Sequence, residues 1–309
     1  MQETRGQILE TLSEGAASGP ELADNCDVSR AAVWKHIEAL RDAGFEIHDG
    51  TDGYELQSVP EFGGAAVEFG LDAPYDIEYH DSIGSTNGRA RELAREGRSD
   101  VVVLSDQQTG GRGRLDREWQ SPTGGVWLSV LARPEIPPAH APAMTLAAAV
   151  ATTRAVRDLG VDASIKWPND VLVGDRKLAG ILTEMEGEAD RVSWLVVGIG
   201  LNANVDVAAL PADLATSLRA EVGVVDRRTV TQHLLSELAT LTDDLEGVLS
   251  AWREYASTPG RRVRIETGTR EIVGTAVDIE FPGSLVVDTG TGRVTVSTGD
   301  CEHLRPVDP

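Results

Sequence analysis

The chain has 309 residues, and its 50 acidic residues outnumber its 28 basic ones to give a formal net charge of −22 at pH 7. A chain of this length suits two or three domains and a sizeable hydrophobic core. Its apolar runs fall short of the roughly 20 residues that span a bilayer, and the N-terminus lacks the apolar segment of a signal peptide. We therefore expect a cytoplasmic protein that does not associate with membranes.

The choice of basic and sulfur-containing residues is also informative. Only Lys35, Lys166 and Lys177 are lysines, and the last two fall inside motifs described below. An acidic surface of this kind resists aggregation in concentrated salt, so we hypothesise a halophilic source. Cys26 and Cys301 lie at opposite ends of the chain without metal-ligand spacing, and free thiols are expected.

Residues 1–60 show the pattern of a winged helix-turn-helix domain. The apolar spacing predicts a helix over 5–13, a short helix capped by Ser18 and a third helix over 30–43 capped by Ser29. A hairpin over 45–56 follows, with Asp-Gly pairs at its turn.

The third helix is the candidate for DNA recognition. A helix in this position enters the major groove through its first turns. The residues placed near DNA are Ser29, Arg30, Trp34 and Lys35. The domain nevertheless holds four Lys and Arg residues against twelve Asp and Glu residues, a net of −8, whereas a DNA-binding surface normally carries a basic footprint. A winged-helix module for dimerisation or sensing is the alternative.

Beyond a linker at 59–64, residues 65–258 alternate helix and strand patterns, which predicts an α/β domain built on a mixed sheet. Helices are predicted over 86–98, 143–159 and 229–255. Strands are predicted over 101–105, 125–132, 164–167, 177–185 and 192–201. Residues 260–309 change to short strands joined by Gly and Thr turns, which predicts a small C-terminal β-barrel.

An arginine-glycine loop over 108–119 follows the strand at 101–105. Arg112, Arg114 and Arg117 fall within six residues and are opposed by a single Asp116. Glycines let the backbone fold tightly, and arginine forks hold carboxylates and phosphates in two-point contact. The pattern predicts a mobile anion-binding loop; a solvated surface loop is the alternative.

Four further segments carry groups suited to ligand binding. Asp81–Asn87 places hydroxyls and an amide before a helix, where they either cap it or reach a ligand carbonyl. The others are Lys166–Asp170, Arg176–Leu182 and Gly198–Asn204. The sequence lacks the phosphate-loop and dinucleotide-binding motifs, and it lacks the paired-cysteine and His-Glu metal motifs. Its histidines form no recognisable nucleophile-base pattern. These absences disfavour hydrolases and dehydrogenases.

In this order, Gly-Arg-Gly-Arg, Lys-Trp-Pro-Asn-Asp, Arg-Lys-Leu-Ala-Gly-Ile-Leu and Gly-Ile-Gly-Leu-Asn resemble the motifs of biotin–protein ligases. Val-Ser-Arg-Ala-Ala-Val-Trp-Lys-His-Ile resembles the DNA-binding domain of the bifunctional members, which also repress biotin genes. The resemblance covers essentially the whole chain and implies an SH3-like fold for the C-terminal barrel.

The resemblance implies a two-step reaction. The biotin carboxylate attacks the α-phosphate of ATP with Mg²⁺, giving biotinyl-5′-adenylate and pyrophosphate. A lysine of the biotin carboxyl-carrier domain of a carboxylase then attacks the activated carbonyl. Such chemistry asks for charge stabilisation more than for an enzyme nucleophile. The resemblance also implies operator DNA as a partner and a homodimer formed through the central sheet.

The resemblance assigns roles to individual residues. The biotin contacts are Ser85, Thr86, Gln108, Gly111, Arg112 and Gly180. The ATP contacts are Arg114, Arg117, Asn169, Asp170 and Asn202, with Asp170 also assigned to Mg²⁺. Lys177 is placed at the reacting carboxyl and α-phosphate, and Arg112 and Arg114 order the loop over the adenylate.

Two departures from the family pattern qualify these roles. The family's loop usually continues with Arg-Gly where this chain has Leu115 and Asp116, so loop closure is expected to differ. The acidic N-terminal domain questions the repressor role more than the ligase role. Two alternatives remain: a lipoate-protein ligase, and a regulator that binds biotin or its adenylate without transferring it.

Overall fold

The computed structural model describes residues 3–210 and 214–304. The predicted domain limits also take in residues 1–2, 211–213 and 305–309, which lie outside the described residues. Within the described ranges, no helix is both long and apolar enough to cross a membrane.

The N-terminal unit has three helices followed by a two-stranded hairpin. Its helices are α1 (Glu3–Glu14), α2 (Gly19–Asn25) and α3 (Arg30–Asp42), and its strands are β1 (Glu46–Gly50) and β2 (Gly53–Ser58). Ser18 and Glu21 form a reciprocal capping box at α2, and Ser29 caps α3 by accepting from the Ala32 amide. The predicted winged helix-turn-helix is therefore confirmed, with both serine caps in place.

The core of this unit forms where the helix periodicity predicts it. The apolar residues Ile8, Leu12, Val33, Ile37 and Leu40 are buried in one cluster. Because they recur three or four positions apart, each helix presents them on a single face.

The central unit is a seven-stranded mixed sheet in the order β3-β4-β5-β9-β8-β7-β6. Its strands are β3 (Asp76–Ile83), β4 (Val101–Gln108), β5 (Val126–Ala132), β6 (Ala163–Lys166), β7 (Asp170–Val173), β8 (Arg176–Gly187) and β9 (Val192–Leu201). Only the β3–β4 pairing is parallel among these neighbours. Strands β3 and β7 are not predicted by the sequence pattern, because they are short or only partly buried and so lack a strong apolar run.

Six helices accompany the sheet: α4 (Gly64–Glu68), α5 (Thr86–Arg95), α6 (Ala141–Arg157), α7 (Leu218–Val222), α8 (Arg227–Asp243) and α9 (Val248–Tyr255). The alanine-rich α6 is buried along most of its length between the sheet and α8. The predicted single helix over 229–255 is wrong. Asp244 leaves the helical conformation at φ −134° and ψ 79°, and its carboxylate accepts from the Gly247 amide at 3.1 Å, which separates α8 from α9.

The C-terminal unit is a five-stranded antiparallel sheet in the order β13-β12-β11-β10-β14. Its strands are β10 (Arg262–Glu266), β11 (Glu271–Glu280), β12 (Ser284–Asp288), β13 (Arg293–Val296) and β14 (Asp300–His303). The buried Trp167 joins it to the central unit, since its indole nitrogen donates to the Gly283 carbonyl at 2.9 Å. The predicted small β unit is confirmed as this sheet.

Candidate functional site

The candidate site lies at one end of the central sheet. Strands β5, β8 and β9 are antiparallel neighbours, so the end of β9 lies beside the starts of β5 and β8: Leu201 pairs with both Val126 and Ala179. Strand β4 ends at Gln108 next to the start of β5. The motifs that follow or precede these strand ends therefore meet in space, although they are far apart in the sequence.

Gln108 is held by two segments at this edge. Its side-chain oxygen accepts from the backbone amide of Thr86 at 2.8 Å and from the Thr86 hydroxyl at 3.1 Å. Its side-chain nitrogen donates to the Ser121 hydroxyl at 3.0 Å. The structure therefore brings together Thr86 and Gln108, as expected for two contacts of one ligand, and adds Ser121. The helix cap is Ser85, whose hydroxyl accepts from the Gly88 amide at 3.3 Å.

A buried polar network lies behind this pair. The Ser129 hydroxyl lies 2.7 Å from the Thr86 hydroxyl and 2.6 Å from the Asn87 side-chain oxygen. The Asn87 nitrogen donates to Glu184 at 2.7 Å. A Cβ at Gly198 would lie 2.2 Å from the Asn87 side-chain oxygen, so glycine is required there. Sequence reasoning missed this use of Asn87 because its partners are on distant strands.

The three arginines of the loop have different partners. Arg114 donates to the Asn169 side-chain oxygen at 3.1 Å and to the Gly299 carbonyl at 2.9 Å. Arg112 pairs with Asp116 at 3.0 Å, with most of both side chains exposed, and Arg117 pairs with Asp300. Arg114 thus joins the loop to the predicted nucleotide segment and to the C-terminal sheet. Arg112 and Arg117 are engaged by carboxylates at the surface instead.

The loop backbone is unusual at the two positions where the sequence departs from the family pattern. Leu115 and Asp116 have φ values of 55° and 54°. Non-glycine residues seldom adopt this left-handed region, although Asp tolerates it better than most. The strained pair brings Asp116 back toward Arg112, and it leaves Leu115 74 % exposed.

Lys177 lies at the centre of the second group of predicted residues. Its ammonium is 2.6 Å from Asp170 and 4.9 Å from the centroid of the Trp119 ring. A cation over an indole face is attracted by the ring quadrupole. The sequence prediction placed Lys177 and Asp170 in one site, and the structure brings their side chains into contact.

Trp119 lies over two glycines on neighbouring strands. Gly180 and Gly200 face each other across the β8–β9 ladder. A Cβ at Gly200 would lie 2.5 Å from the Trp119 indole nitrogen, and one at Gly180 would lie 3.2 Å from its ring and 3.2 Å from the Lys177 ammonium. That indole nitrogen is buried without a hydrogen-bond partner. Sequence reasoning assigned no role to Trp119. The glycines at 180 and 200, each in a strand motif, were the available signal that a bulky side chain packs over these strands.

Asn169 and Asn202 are both held by backbone groups. The Asn169 nitrogen donates to the Ile181 carbonyl at 2.7 Å, which leaves its oxygen for Arg114. Asn202 is 2 % exposed, its nitrogen donates to the Thr216 carbonyl at 3.0 Å, and its side-chain oxygen is buried without a partner. An unsatisfied buried acceptor is rare and costs free energy.

A cavity of about 710 Å³ opens beside the loop. It is lined by several predicted ligand contacts, among them Gln108, Gly111 and Arg112, and by Trp119. Because Trp119 also contacts Lys177 and Gly180, it is the residue common to the cavity and to the lysine group. Gly111 is required for this shape, since a Cβ there would lie 2.4 Å from the Trp119 carbonyl oxygen.

The described residues, 3–210 and 214–304, contain no group of three or more His, Cys, Asp or Glu side chains placed to hold a metal. Asp170 is a single carboxylate already paired with Lys177. Mg²⁺ often uses one or two carboxylates together with substrate phosphates, so Asp170 fits a metal that enters with a nucleotide. Both cysteines are free, and burial raises the pKa of Cys301 to about 12.

The candidate DNA-binding residues form a separate group on the N-terminal unit. Ser29, Arg30, Trp34 and Lys35 are all exposed at the start of α3, and Trp34 is 55 % exposed. An exposed tryptophan of this size is uncommon on a surface helix. The net charge of the domain is nevertheless acidic, as its sequence shows.

Three family models match the chain. The Biotin/lipoate A/B protein ligase family matches residues 80–202, the Biotin protein ligase C terminal domain matches residues 258–304, and an HTH domain matches residues 4–61. Together they cover the three units described above.

Curated relatives match over nearly the whole chain. The Bifunctional ligase/repressor BirA of Bacillus subtilis is 36% identical and covers 96% of this chain and 98% of its own length. The protein of the same name from Escherichia coli is 32% identical over 91% of each chain. The Biotin--[acetyl-CoA-carboxylase] ligase of Mycobacterium tuberculosis is 34% identical over 72% of this chain and 86% of its own.

Solved structures support the fold over about three quarters of the chain. A biotin protein ligase from Aquifex aeolicus, in complex with biotin and ATP, superposes with a TM-score of 0.63 at 25% identity, over 74% of this chain and 98% of that one. The apo structure of that ligase gives a TM-score of 0.61 at 21% identity.

Proposed function

This chain belongs to the biotin–protein ligase family, in the group that carries an N-terminal helix-turn-helix domain, and from that premise we propose how its residues perform the reaction. The proposed activity is ATP-dependent formation of biotinyl-5′-adenylate followed by transfer of biotin to an acceptor lysine. One observation carries the assignment of roles: Lys177 is held between Asp170 and Trp119 over Gly180, at the sheet end where Thr86 and Gln108 also meet.

The first step joins the biotin carboxylate to the α-phosphate of ATP and releases pyrophosphate. Negative charge grows on the phosphoryl oxygens as the bond forms. We assign Lys177 to that charge, with the substrate phosphate taking the place of Asp170 as the partner of its ammonium. Because a preorganised cation in a sheltered site stabilises developing charge more than water does, this contact lowers the barrier.

Biotin would enter the cavity beside Gln108. We assign Ser85, Thr86 and Gln108 to the head group, and Gly111 and Gly180 to close backbone approach. Arg112 would exchange its Asp116 contact for the biotin carboxylate. The Arg112–Asp116 pair is exposed, so breaking it costs little.

ATP would lie against the second group of residues. We assign Arg117 to the triphosphate, Arg114 and Asn169 to the nucleotide, and Asn202 to the adenylate. Mg²⁺ bound to the phosphates would neutralise part of their charge, and Asp170 is the carboxylate assigned to hold it. The unpartnered Asn202 oxygen supports its assignment, because a donor on the nucleotide would satisfy it.

The loop would then close over the adenylate and exclude water, so that the mixed anhydride persists until an acceptor lysine arrives. The acceptor is the biotin carboxyl-carrier domain of a carboxylase. We further propose that the exposed start of α3 binds operator DNA, and that adenylate binding promotes a homodimer through the central sheet. Size-exclusion chromatography with and without biotin and ATP tests the dimer, and titration of labelled operator DNA tests repression.

Pyrophosphate release tests the ligase assignment. With ATP, Mg²⁺ and biotin, we expect a burst of about one equivalent per chain, which becomes steady turnover when an acceptor domain is added. Lipoate in place of biotin should give no burst. Biotin binding without pyrophosphate would favour the sensing regulator, and a burst with lipoate alone would favour a lipoate-protein ligase.

The formal charge of −22 supports a related proposal about conditions. Salt screens the repulsion between like charges at the surface. We propose that the protein works in concentrated salt, so that its activity rises between ~0.1 M and ~2 M KCl. An activity that falls steadily over this range would contradict a halophilic source.

A further inference from the structure

The guanidinium of Arg227 connects the linker to the central sheet. It is buried at the start of α8 and donates to Glu61 from two of its nitrogens, each at 2.8 Å. It also donates to Asp106 at 2.6 Å and to the Gly125 carbonyl at 3.1 Å. A buried cation with two carboxylates and a carbonyl is a specific junction, because the planar fork fixes the direction of each hydrogen bond.

Two of these partners belong to the structure that holds the biotin pocket. Asp106 and Gln108 lie two residues apart on β4, so their side chains point to the same face of the strand. Asp106 also accepts from the Gly124 amide at 3.4 Å, three residues after Ser121, the partner of Gln108. A shift of Arg227 would therefore move β4 at Asp106 and the segment that carries Ser121, two neighbours of Gln108.

The remaining partner belongs to the segment that leads from the winged helix-turn-helix. Glu61 follows β2 by three residues, and its neighbour Phe62 lies under the guanidinium at 4.1 Å from ring centroid to Arg227. Glu61 also accepts from the Asn204 side chain at 3.3 Å, two residues beyond Asn202. This segment, residues 59–63, is thus attached to the catalytic unit at β4, which carries Gln108, and at the loop after β9, which carries Asn202.

We propose that Arg227 is a positioning residue that couples the docking of segment 59–63 to the geometry of the biotin pocket. The inference rests on the proposed ligase function. Bound biotin tightens the Gln108–Ser121 contact and thereby holds Asp106 and Gly125 in place. These two residues position Arg227, which in turn holds Glu61 through its hydrogen bonds. By thermodynamic reciprocity, a loosened segment weakens biotin binding by the same factor.

The charge environment supports a rigid junction. Burial alone lowers the pKa of Arg227, but the hydrogen bonds to Glu61 and Asp106 more than offset it, and the net pKa is raised. The guanidinium therefore stays charged. Neutralising Glu61 leaves Asp106 as the remaining carboxylate partner of Arg227 in this junction. Arg227 and Asp106 then form a pair of opposite charges.

Glu61→Gln is the test variant, because Glu61 is partly exposed and the change keeps its size. Glu55→Gln is the matched control, since it removes one charge from an exposed position of β2. We expect Glu61→Gln to raise KM for biotin roughly five-fold or more, with kcat of pyrophosphate release nearly unchanged and the control at the native values. Arg227→Lys, which keeps the charge without the fork, should raise KM in the same direction.

Hydrogen exchange provides a second measurement, and its first arm uses the native chain alone. Exchange of the amides in segment 59–63 should slow when biotin binds, and Glu61→Gln should lose that response. A purely structural anchor would lower the melting temperature in Glu61→Gln without changing KM or the response to biotin. Either an unchanged KM or exchange that ignores biotin overturns the inference.

The native-chain exchange decides the question if Glu61→Gln does not fold. The two proposals also fail differently. A native chain that releases no pyrophosphate with biotin contradicts the ligase function. A native chain that works, with a Glu61→Gln variant identical to it, contradicts only the coupling.

Discussion

The Lys177 ammonium lies 2.6 Å from the Asp170 carboxylate across the start of β8 and β7. The two residues belong to different sequence motifs, and each is the other's charge partner in this structure. The Asp170 carboxylate balances the positive charge of Lys177 while the ammonium stays at the proposed reaction centre. Substrate phosphate would take the place of the carboxylate, so the cation is positioned before ATP arrives.

Lys177→Gln should slow adenylate formation by roughly 10²- to 10³-fold, the size typical of losing one group that stabilises developing charge. Binding of biotin alone should change little, because Lys177 acts on charge that appears in the transition state. Rapid-quench measurement of the pyrophosphate burst provides the rate. Lys35→Gln, which removes the same charge from α3 outside the catalytic unit, is the control; equal losses in both variants would contradict the role.

Arg114→Gly should release adenylate into solution. Arg114 supplies the hydrogen bonds that join the loop to Asn169 and to Gly299, and each is worth roughly 1 kcal/mol. Their loss should open the loop and let water or bulk solvent reach the anhydride. Gel filtration after a single turnover measures the fraction retained. Unchanged retention of adenylate in Arg114→Gly would disprove loop closure through Arg114. The Arg114→Lys variant should retain a fraction between those of the native protein and Arg114→Gly.

Two substitutions of Asp116 separate its charge from its backbone conformation. Asn tolerates the left-handed region, so Asp116→Asn mainly removes the carboxylate that occupies Arg112. Both Asp116→Asn and Asp116→Gly should strengthen biotin binding by roughly two- to five-fold, in line with a weak exposed ion pair. Isothermal titration at low salt measures the gain. The gain should shrink as salt rises; weaker binding in Asp116→Asn would count against competition for Arg112.

Gly200→Ala should displace Trp119, because the new methyl group would lie 2.5 Å from the indole nitrogen. Displacement should change the tryptophan fluorescence and lower the rate of adenylate formation more than the overall stability. Gly292→Ala is the control, since a Cβ there meets nothing within 4 Å. Native-like fluorescence and activity in Gly200→Ala would show that Trp119 is not confined by the two glycines.

Stability should fall on acidification through His303. Burial, with the nearby charges of Lys166 and Arg261, lowers the pKa of His303 from 6.5 to about 4. The unfolded chain therefore takes up this proton first as the pH falls, and stability is lost between pH 6.5 and 4. Thermal unfolding across this range measures the loss, which should be smaller in His303→Gln. Parallel curves for the two proteins would contradict the assignment.

The contacts of His303 show which part of the structure this loss of stability would affect. Its ring nitrogen lies 3.0 Å from the Thr258 hydroxyl, which accepts from the Trp167 amide at 2.9 Å. A charged imidazolium would disturb this contact between the C-terminal sheet and the Lys166–Asp170 motif. The position of that motif should therefore respond to the same protonation.

Local sequence signals predicted most of the regular structure. Ser18 and Ser29 identify the starts of α2 and α3, and the spacing of Val33, Ile37 and Leu40 identifies the buried face of α3. Continuous apolar runs identify the central strands, and β9 has the predicted bounds. The prediction failed over 229–255 because the apolar spacing continues through a break that the Asp244 side chain makes with the Gly247 amide.

The sequence by itself determined most of the elements, the motifs and the chemical character of the site, because caps, periodicity and residue type act over a few neighbouring positions. The tertiary structure alone decided which motifs meet. Arg114 reaches Asn169 and Gly299, and Trp119 covers the facing glycines of β8 and β9. These contacts depend on the order and register of strands far apart in the chain, which the balance of packing over the whole sheet selects and no local pattern encodes.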